Sequence, residues 1–129
     1  MFMGEFRHNI DAKGRLIIPS KLREQCGESV VITRGFDGCL ALYTQEGWND
    51  YYQKLQTLPK TKREARNFVR IITSRASECE FDKLGRVNIP NVLRIEGKLE
   101  KECIIVGVGD HVEIWNQNIW DDYYDANKD

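Results

Sequence analysis

The feature that most constrains the fold of this chain is a repeat. Asp11-Ala12-Lys13-Gly14-Arg15 returns as Asp82-Lys83-Leu84-Gly85-Arg86, and a shift of 71 residues also superposes Ile18 on Ile89, Pro19 on Pro90, Leu22 on Leu93 and Arg23 on Arg94. Seven identities in thirteen positions are not chance. With one inserted residue the shift becomes 72, and Ile32, Gly35, Leu40, Leu42 and the run Trp48 to Tyr52 fall on Ile104, Gly107, Val112, Ile114 and the run Trp120 to Tyr124. A period of this length marks a duplicated unit. Units of about 50 residues rarely hold a core alone, so the two copies are expected to share one. The expected organisation is one domain, 1–129, built from repeats 5–58 and 77–125 about a pseudo-twofold axis, with a basic helix, 60–76, between them.

Both copies of the motif read as tight hairpin tips. A type I turn closing a three-residue loop needs a left-handed residue at its last position, and Gly14 and Gly85 stand there without a Cβ clash. Asp11 and Arg15, like Asp82 and Arg86, are expected to face each other across two antiparallel strands, where opposite charges favour the register. On structural grounds alone such a pair is an exposed salt bridge worth about 0 to 1 kcal/mol. A guanidinium oriented by a carboxylate also keeps N–H donors for a phosphate or a guanine edge. The two roles are compatible. Asp11 and Asp82 are therefore read as orienting groups, and Arg15 and Arg86 as contacts.

In chain order, Phe6, His8 and Ile10 alternate with Arg7 and Asn9 as a half-buried strand, and Leu16-Ile17-Ile18 leads out of the first tip. Pro19 opens a short helix that Gly27 ends. Strands over 30–33 and 40–43 follow, joined by the turn-rich 34–38. Thr44 is the expected N-cap of a helix carrying Trp48, Tyr51, Tyr52, Leu55 and Leu58 at helical spacing. After Pro59, Thr61-Lys62-Arg63-Glu64 reads as a capping box. The helix it opens has an apolar stripe of Ala65, Phe68, Val69, Ile72 and Ala76, and its other faces carry Lys62, Arg63, Arg66, Arg70 and Arg75.

The formal net charge of -1 hides an asymmetry. Residues 1–75 hold 13 Lys and Arg against 8 Asp and Glu, and residues 76–129 hold 6 against 12. The basic half suits a polyanion, and the acidic half suits solubility or a neighbouring copy. No apolar run nears the roughly 20 residues of a membrane helix. Glu5, Arg7 and His8 stand where a signal peptide has its apolar core, so a cytoplasmic protein without a membrane partner is expected. Cys26, Cys39, Cys79 and Cys103 are widely spaced and only His8 and His111 accompany them; reduced, mostly buried thiols and no metal site are expected. No catalytic triad motif or phosphate-binding glycine loop occurs, and exposed tips offer Asp11 and Asp82 no pocket for acid–base work. No enzyme, cofactor or small-molecule substrate is expected. Trp48, Tyr51, Tyr52, Trp115, Trp120, Tyr123 and Tyr124 sit at repeat-matched positions and read as core or interface packing, not as base-stacking platforms.

With both tips and the basic helix in place, the chain resembles the MraZ family. The resemblance rests on Met1-Phe2-x-Gly4; on Asp11 to Leu16 with Pro19 and Arg23; on Ser77-Glu78-Cys79-Glu80; on Asp82, Gly85, Arg86, Val87, Pro90 and Arg94; and on Val106-Gly107 with Glu113-x-Trp115. It covers nearly the whole chain. It implies an α+β fold, mainly β with helices, in the form of an internally duplicated swapped-hairpin barrel of the AbrB-like type. It also implies a bacterial DNA-binding transcriptional regulator of the division and cell-wall gene cluster, nucleoid-associated, which assembles into a ring and binds repeated promoter boxes. Asp11, Arg15, Asp82 and Arg86 match the family's signature positions, and family members commonly continue past the position of Asp129.

On this reading the partners are double-stranded promoter DNA and further copies of the chain. Lys13 and Arg15 are expected to enter the major groove, with Arg86 secondary and Lys83 one residue away from the position aligned with Lys13. Arg7, Lys21 and Arg23, and Arg94 after the second tip, are candidate phosphate contacts. The basic helix is read as DNA backbone contact or, preferentially, as a surface for the acidic half of a neighbour, where Asp121, Asp122 and Asp125 cluster. The competing class is a ring-forming assembly or adaptor protein with antitoxin-like partner binding, which predicts indifference to changes at Arg15.

Overall fold

Where apolar side chains alternate, the chain is extended. The computed structural model describes residues 1–129. Its elements are β1 (Glu5–Asn9), β2 (Arg15–Ile17), α1 (Ser20–Arg23), β3 (Ser29–Arg34), β4 (Leu40–Thr44), α2 (Gln45–Gln56), α3 (Arg63–Arg75), β5 (Ser77–Glu80), β6 (Arg86–Asn88), α4 (Asn91–Glu96), β7 (Glu102–Gly107), β8 (Val112–Asn116) and α5 (Gln117–Asn127). All ladders are antiparallel. Six strands form one sheet in the order β1-β7-β8-β4-β3-β5, and β2 pairs with β6 in a separate two-stranded ribbon. The fold is α+β with five helices, and the expected barrel does not close. The two short strands pair with each other and leave β1 and β5 as the edges of an open sheet.

The tips also differ from simple hairpins. The loop closes as expected: Gly14 N–H donates to Asp11 O and Asp11 N–H to Arg15 O, both at 3.0 Å. Beyond that pair the two strands separate, β1 to β7 and β2 to β6. Sheet and ribbon are opposite walls of one core, and the chain crosses from wall to wall because Ile10 and Leu16, on either side of the tip, are both buried in it. Leu16, Ile18, Leu22, Val87, Ile89 and Leu93 come from the ribbon side and meet Val30, Ile32, Leu40, Leu42, Ile105 and Ile114 of the sheet. On the other face of the sheet, Trp115 packs with Cys39, Ile104 and Val106 beneath Ile119 and Trp120 of α5. The four cysteines are free, and burial pushes the thiols of Cys26 and Cys103 up to about 11.

Thr44 caps α2 as expected, its hydroxyl accepting Gly47 N–H at 2.9 Å. The capping box at Thr61 does not form. Lys62 N–H donates to Pro59 O at 3.0 Å, and this turn carries Thr61 outside α3, whose N-cap Lys62 makes no side-chain cap bond.

The alignment of the copies also needs one adjustment. Val30 pairs with Thr44 and Cys103 with Asn116, and Thr44 and Asn116 both cap the following helix, so Cys103 is the counterpart of Val30. Ile32 therefore matches Ile105, not Ile104. One residue of slip reverses the face a strand side chain occupies. Ile105 joins Ile32 in the core, whereas Ile104 lies on the opposite face with Trp115.

Candidate nucleic-acid interface

Alternation within three-residue strands divides the ribbon into two faces. Leu16 and Val87 stand opposite each other and are fully buried, which turns Arg15, Ile17, Arg86 and Asn88 outward. Arg15 pairs with Asn88 and Ile17 with Arg86, so the two arginines are diagonal neighbours, about 7–8 Å apart at the backbone. The tips extend the ribbon at its opposite ends: Gly14 O accepts Ile89 N–H at 2.8 Å and Gly85 O accepts Ile18 N–H at 3.1 Å. The face therefore runs from Lys13, through Arg15 and Arg86, to Lys83, and both lysines are exposed.

The two tips have the same internal wiring. Asp11 Oδ1 accepts the backbone N–H groups of Lys13 at 3.0 Å and Arg15 at 2.8 Å, while its Oδ2 accepts Arg15 Nε–H at 2.7 Å. Asp82 Oδ1 accepts from Leu84 and Arg86 at 2.9 Å, and its Oδ2 accepts Arg86 Nε–H at 2.7 Å. The backbone N–H of the arginine is the largest influence on each carboxyl group. With the guanidinium it outweighs desolvation and holds both aspartates below the usual carboxylate range. Asp11 Oδ2 also lies 4.0 Å from Arg86 Nη1, so one carboxylate stands between both arginines. Each arginine is held through Nε, and no hydrogen bond engages its terminal nitrogens. Gly14 and Gly85 adopt φ of +88° and +78° to make these loops.

The remaining predicted residues divide. Lys21 is exposed on α1. Arg7 lies on β1, facing α5 across the sheet from the ribbon, and its Nη2 donates to Asp121 at 2.9 Å. Arg23 and Arg94 turn in toward the tips: Arg23 Nη1 donates to Ile18 O at 2.6 Å, and Arg94 Nε is buried without a partner. The structure thus turns Arg15 and Arg86 outward on one ribbon face between the tips that carry Asp11, Lys13, Asp82 and Lys83, places Arg23 and Arg94 half-buried beside those tips, and leaves Arg7 on the far side of the sheet. Ile17 and Asn88 complete the face. Alternation about the apolar Leu16 and Val87 was the signal for them, but three residues are too few to distinguish a strand from a loop.

Basic α3 lies in the helix layer, away from the ribbon. Arg66 and Arg70, with Lys60, line a groove floored by Leu55, Leu58, Ala65 and Val69. Of the acidic cluster, Asp121 is engaged by Arg7, Asp125 is exposed and lies 3.5 Å from Lys128 Nζ at the end of the same helix, and Asp122 is exposed. Of the aromatic residues, Trp48 and Tyr51 pack on Tyr43 and Trp115 packs on Trp120 and Tyr123, whereas Tyr52 and Tyr124 are exposed.

Residues 1–71 and, separately, residues 72–129 match the family described as "MraZ protein, putative antitoxin-like". A protein of Ligilactobacillus salivarius (strain UCC118), named Transcriptional regulator MraZ, is 58% identical over 125 residues, covering 97% of this chain and 87% of its own. With both halves matched and identity of that order along nearly its whole length, the chain belongs to the MraZ family.

Proposed function

We propose that this protein is a sequence-specific, non-enzymatic transcriptional regulator that binds double-stranded DNA through the outer face of the β2–β6 ribbon. The observation that carries this reading is that Arg15 and Arg86 share one outward face, each steered through Nε by its own aspartate. B-DNA's major groove admits a two-stranded ribbon, and a guanidinium with free terminal nitrogens can bond a guanine edge bidentately. Holding the side chain beforehand lowers the cost of ordering it on binding. Lys13 enters the groove beside Arg15, and Lys83 and Lys21 supply phosphate contacts that position the ribbon without reading sequence. The name of the Ligilactobacillus relative supports the regulatory class.

The finer parts of the reading follow the family resemblance. The target is the promoter of the division and cell-wall cluster, in the cytoplasm and at the nucleoid, and the boxes are bound by a ring of copies. Exposed Asp122 and Asp125 on α5 and the cations of α3 are complementary patches on one protomer, as a heterologous ring requires. Repeated boxes then raise effective concentration, so weak single contacts suffice. The architecture is read as a duplicated swapped hairpin built from 5–58 and 77–125. This is supported by β1 laddering to β7, β5 to β3, and a ribbon with one strand from each copy.

The test is titration of the labelled promoter region with wild type and Arg15→Ala at two salt concentrations, against unrelated competitor DNA. Wild type is expected to bind selectively, with a log–log salt slope of about -3 to -4 per subunit. Arg15→Ala is expected to lose selectivity while its assembly state is unchanged. The antitoxin-like family description favours one alternative, capture of a partner protein. An assembled protein that ignores both the promoter and the Arg15→Ala change would transfer the assignment there.

A further inference from the structure

Two arginines that the ribbon face does not use lie against its tips, and they do so crosswise. Arg23 follows the first tip in sequence but packs on the glycine of the second: a Cβ on Gly85 would stand 2.5 Å from Arg23 Cζ. Arg94 follows the second tip and packs on the glycine of the first, where a Cβ on Gly14 would stand 2.8 Å from Arg94 Cζ. Both glycines are buried, and both need a left-handed backbone as well as a bare Cα. Arg23 Nη1 bonds Ile18 O at 2.6 Å, and Ile18 N–H bonds Gly85 O at 3.1 Å, so this guanidinium closes the end of the ribbon from which the second tip departs. At the other end Ile89 N–H bonds Gly14 O at 2.8 Å, and Arg94 lies there with its Nε buried and unpartnered, holding by contact alone. Arg94 and Asp11 line one recess, and Arg23 and Asp82 line another.

We propose that Arg23 and Arg94 are crossed positioning residues: each sets the DNA-contacting tip of the opposite sequence copy and does not itself contact DNA. The proposal rests on the ribbon reading above. A planar guanidinium can lie flat on a glycine Cα and hydrogen-bond at its rim, which a lysine ammonium cannot do. The orientation of Arg15 by Asp11 then depends on a residue 79 positions after Arg15, and that of Arg86 by Asp82 on a residue that precedes the whole second copy. Neither tip is an independent module.

The test uses the full chain. Amide hydrogen exchange is measured without DNA on wild type, Arg23→Ala and Arg94→Ala, with Arg23→Met and Arg94→Met as stem-preserving variants in case the alanine forms fail to fold. Loss of Arg94 is expected to speed exchange about tenfold at Gly14 and Ile89 while sparing Gly85 and Ile18; loss of Arg23 should do the reverse. Lysine substitutions should not restore protection. In promoter titrations each variant is expected to lose selectivity with an unchanged salt slope, whereas a direct phosphate contact would reduce the slope by about 0.9. Faster exchange at the tip adjacent in sequence, equal change at both tips, or a reduced slope with exchange unaltered would overturn the proposal. Failure of wild type to bind the promoter would remove the DNA reading, and the exchange pattern would still decide whether the braces are crossed.

Discussion

At the scale of single residues, the tips follow from local chemistry. Asp11 satisfies two backbone N–H groups and one guanidinium with a single carboxylate, and Asp82 repeats the pattern residue for residue. Gly14 answers two demands at once, a φ of +88° and the approach of Arg94. Gly14→Ala is therefore expected to destabilise by about 1–3 kcal/mol in urea unfolding. Gly27→Ala is the control: an added Cβ there meets nothing within 4 Å, and its stability should stay within about 0.5 kcal/mol of wild type. An equal loss in both variants would remove the special status of the tip. The turn was legible in the sequence because the aspartate, glycine and arginine that close it lie within five residues. What no local pattern shows is that Arg23 and Arg94 pack on tips far away in sequence and that Arg7 pairs with Asp121, 114 residues distant.

At the scale of elements, the helices show where pattern succeeds and where it fails. The Thr44 cap was legible from its hydroxyl and the aromatic periodicity after it. The Thr61 box had the correct residue types, but the Pro59 turn moved the helix start beyond its reach. Helix α3 is instead fixed near its C-terminal end. Ala76 N–H bonds Thr73 O, which leaves Ile72 O without its i+4 partner, and buried Thr33 Oγ1 supplies the missing bond at 2.7 Å. Thr33→Val should leave that carbonyl unsatisfied and cost about 1–3 kcal/mol, while Thr33→Ser retains most of the stability. Thr61→Ala, removing a hydroxyl that caps nothing, should change stability by no more than about 0.5 kcal/mol. Urea unfolding of the three variants measures both; a large Thr61→Ala loss would restore the capping box.

At the scale of the whole molecule, charged groups as well as the core join distant parts. His111, in the turn between β7 and β8, stacks on Tyr43 of β4 with ring centroids 5.0 Å apart. Its Nδ1 is 2.6 Å from Asp110 Oδ1 and its Nε2 is 3.7 Å from Glu113 Oε2. Burial opposes the imidazolium, but hydrogen bonds and charge from Glu113 and Asp110 outweigh it, and the His111 pKa is raised. A raised folded-state pKa contributes stability fully below the ordinary value of about 6.5, and that contribution disappears as pH rises through the folded-state value. The urea midpoint should therefore fall as pH rises above about 6.5, and His111→Gln should flatten that fall; an identical slope in the variant would place the titration elsewhere. The sequence alone determined the repeat, the turn at each tip and the strand and helix periodicities, because each is read from residue types along the chain without knowing which strands meet. Only the tertiary structure decided that β1 and β2 part at the tip, that Ile32 answers Ile105, and that each tip is braced from the other copy. Those choices depend on which apolar faces meet across a shared core, and burial acts on neighbours in space without regard to their separation in sequence.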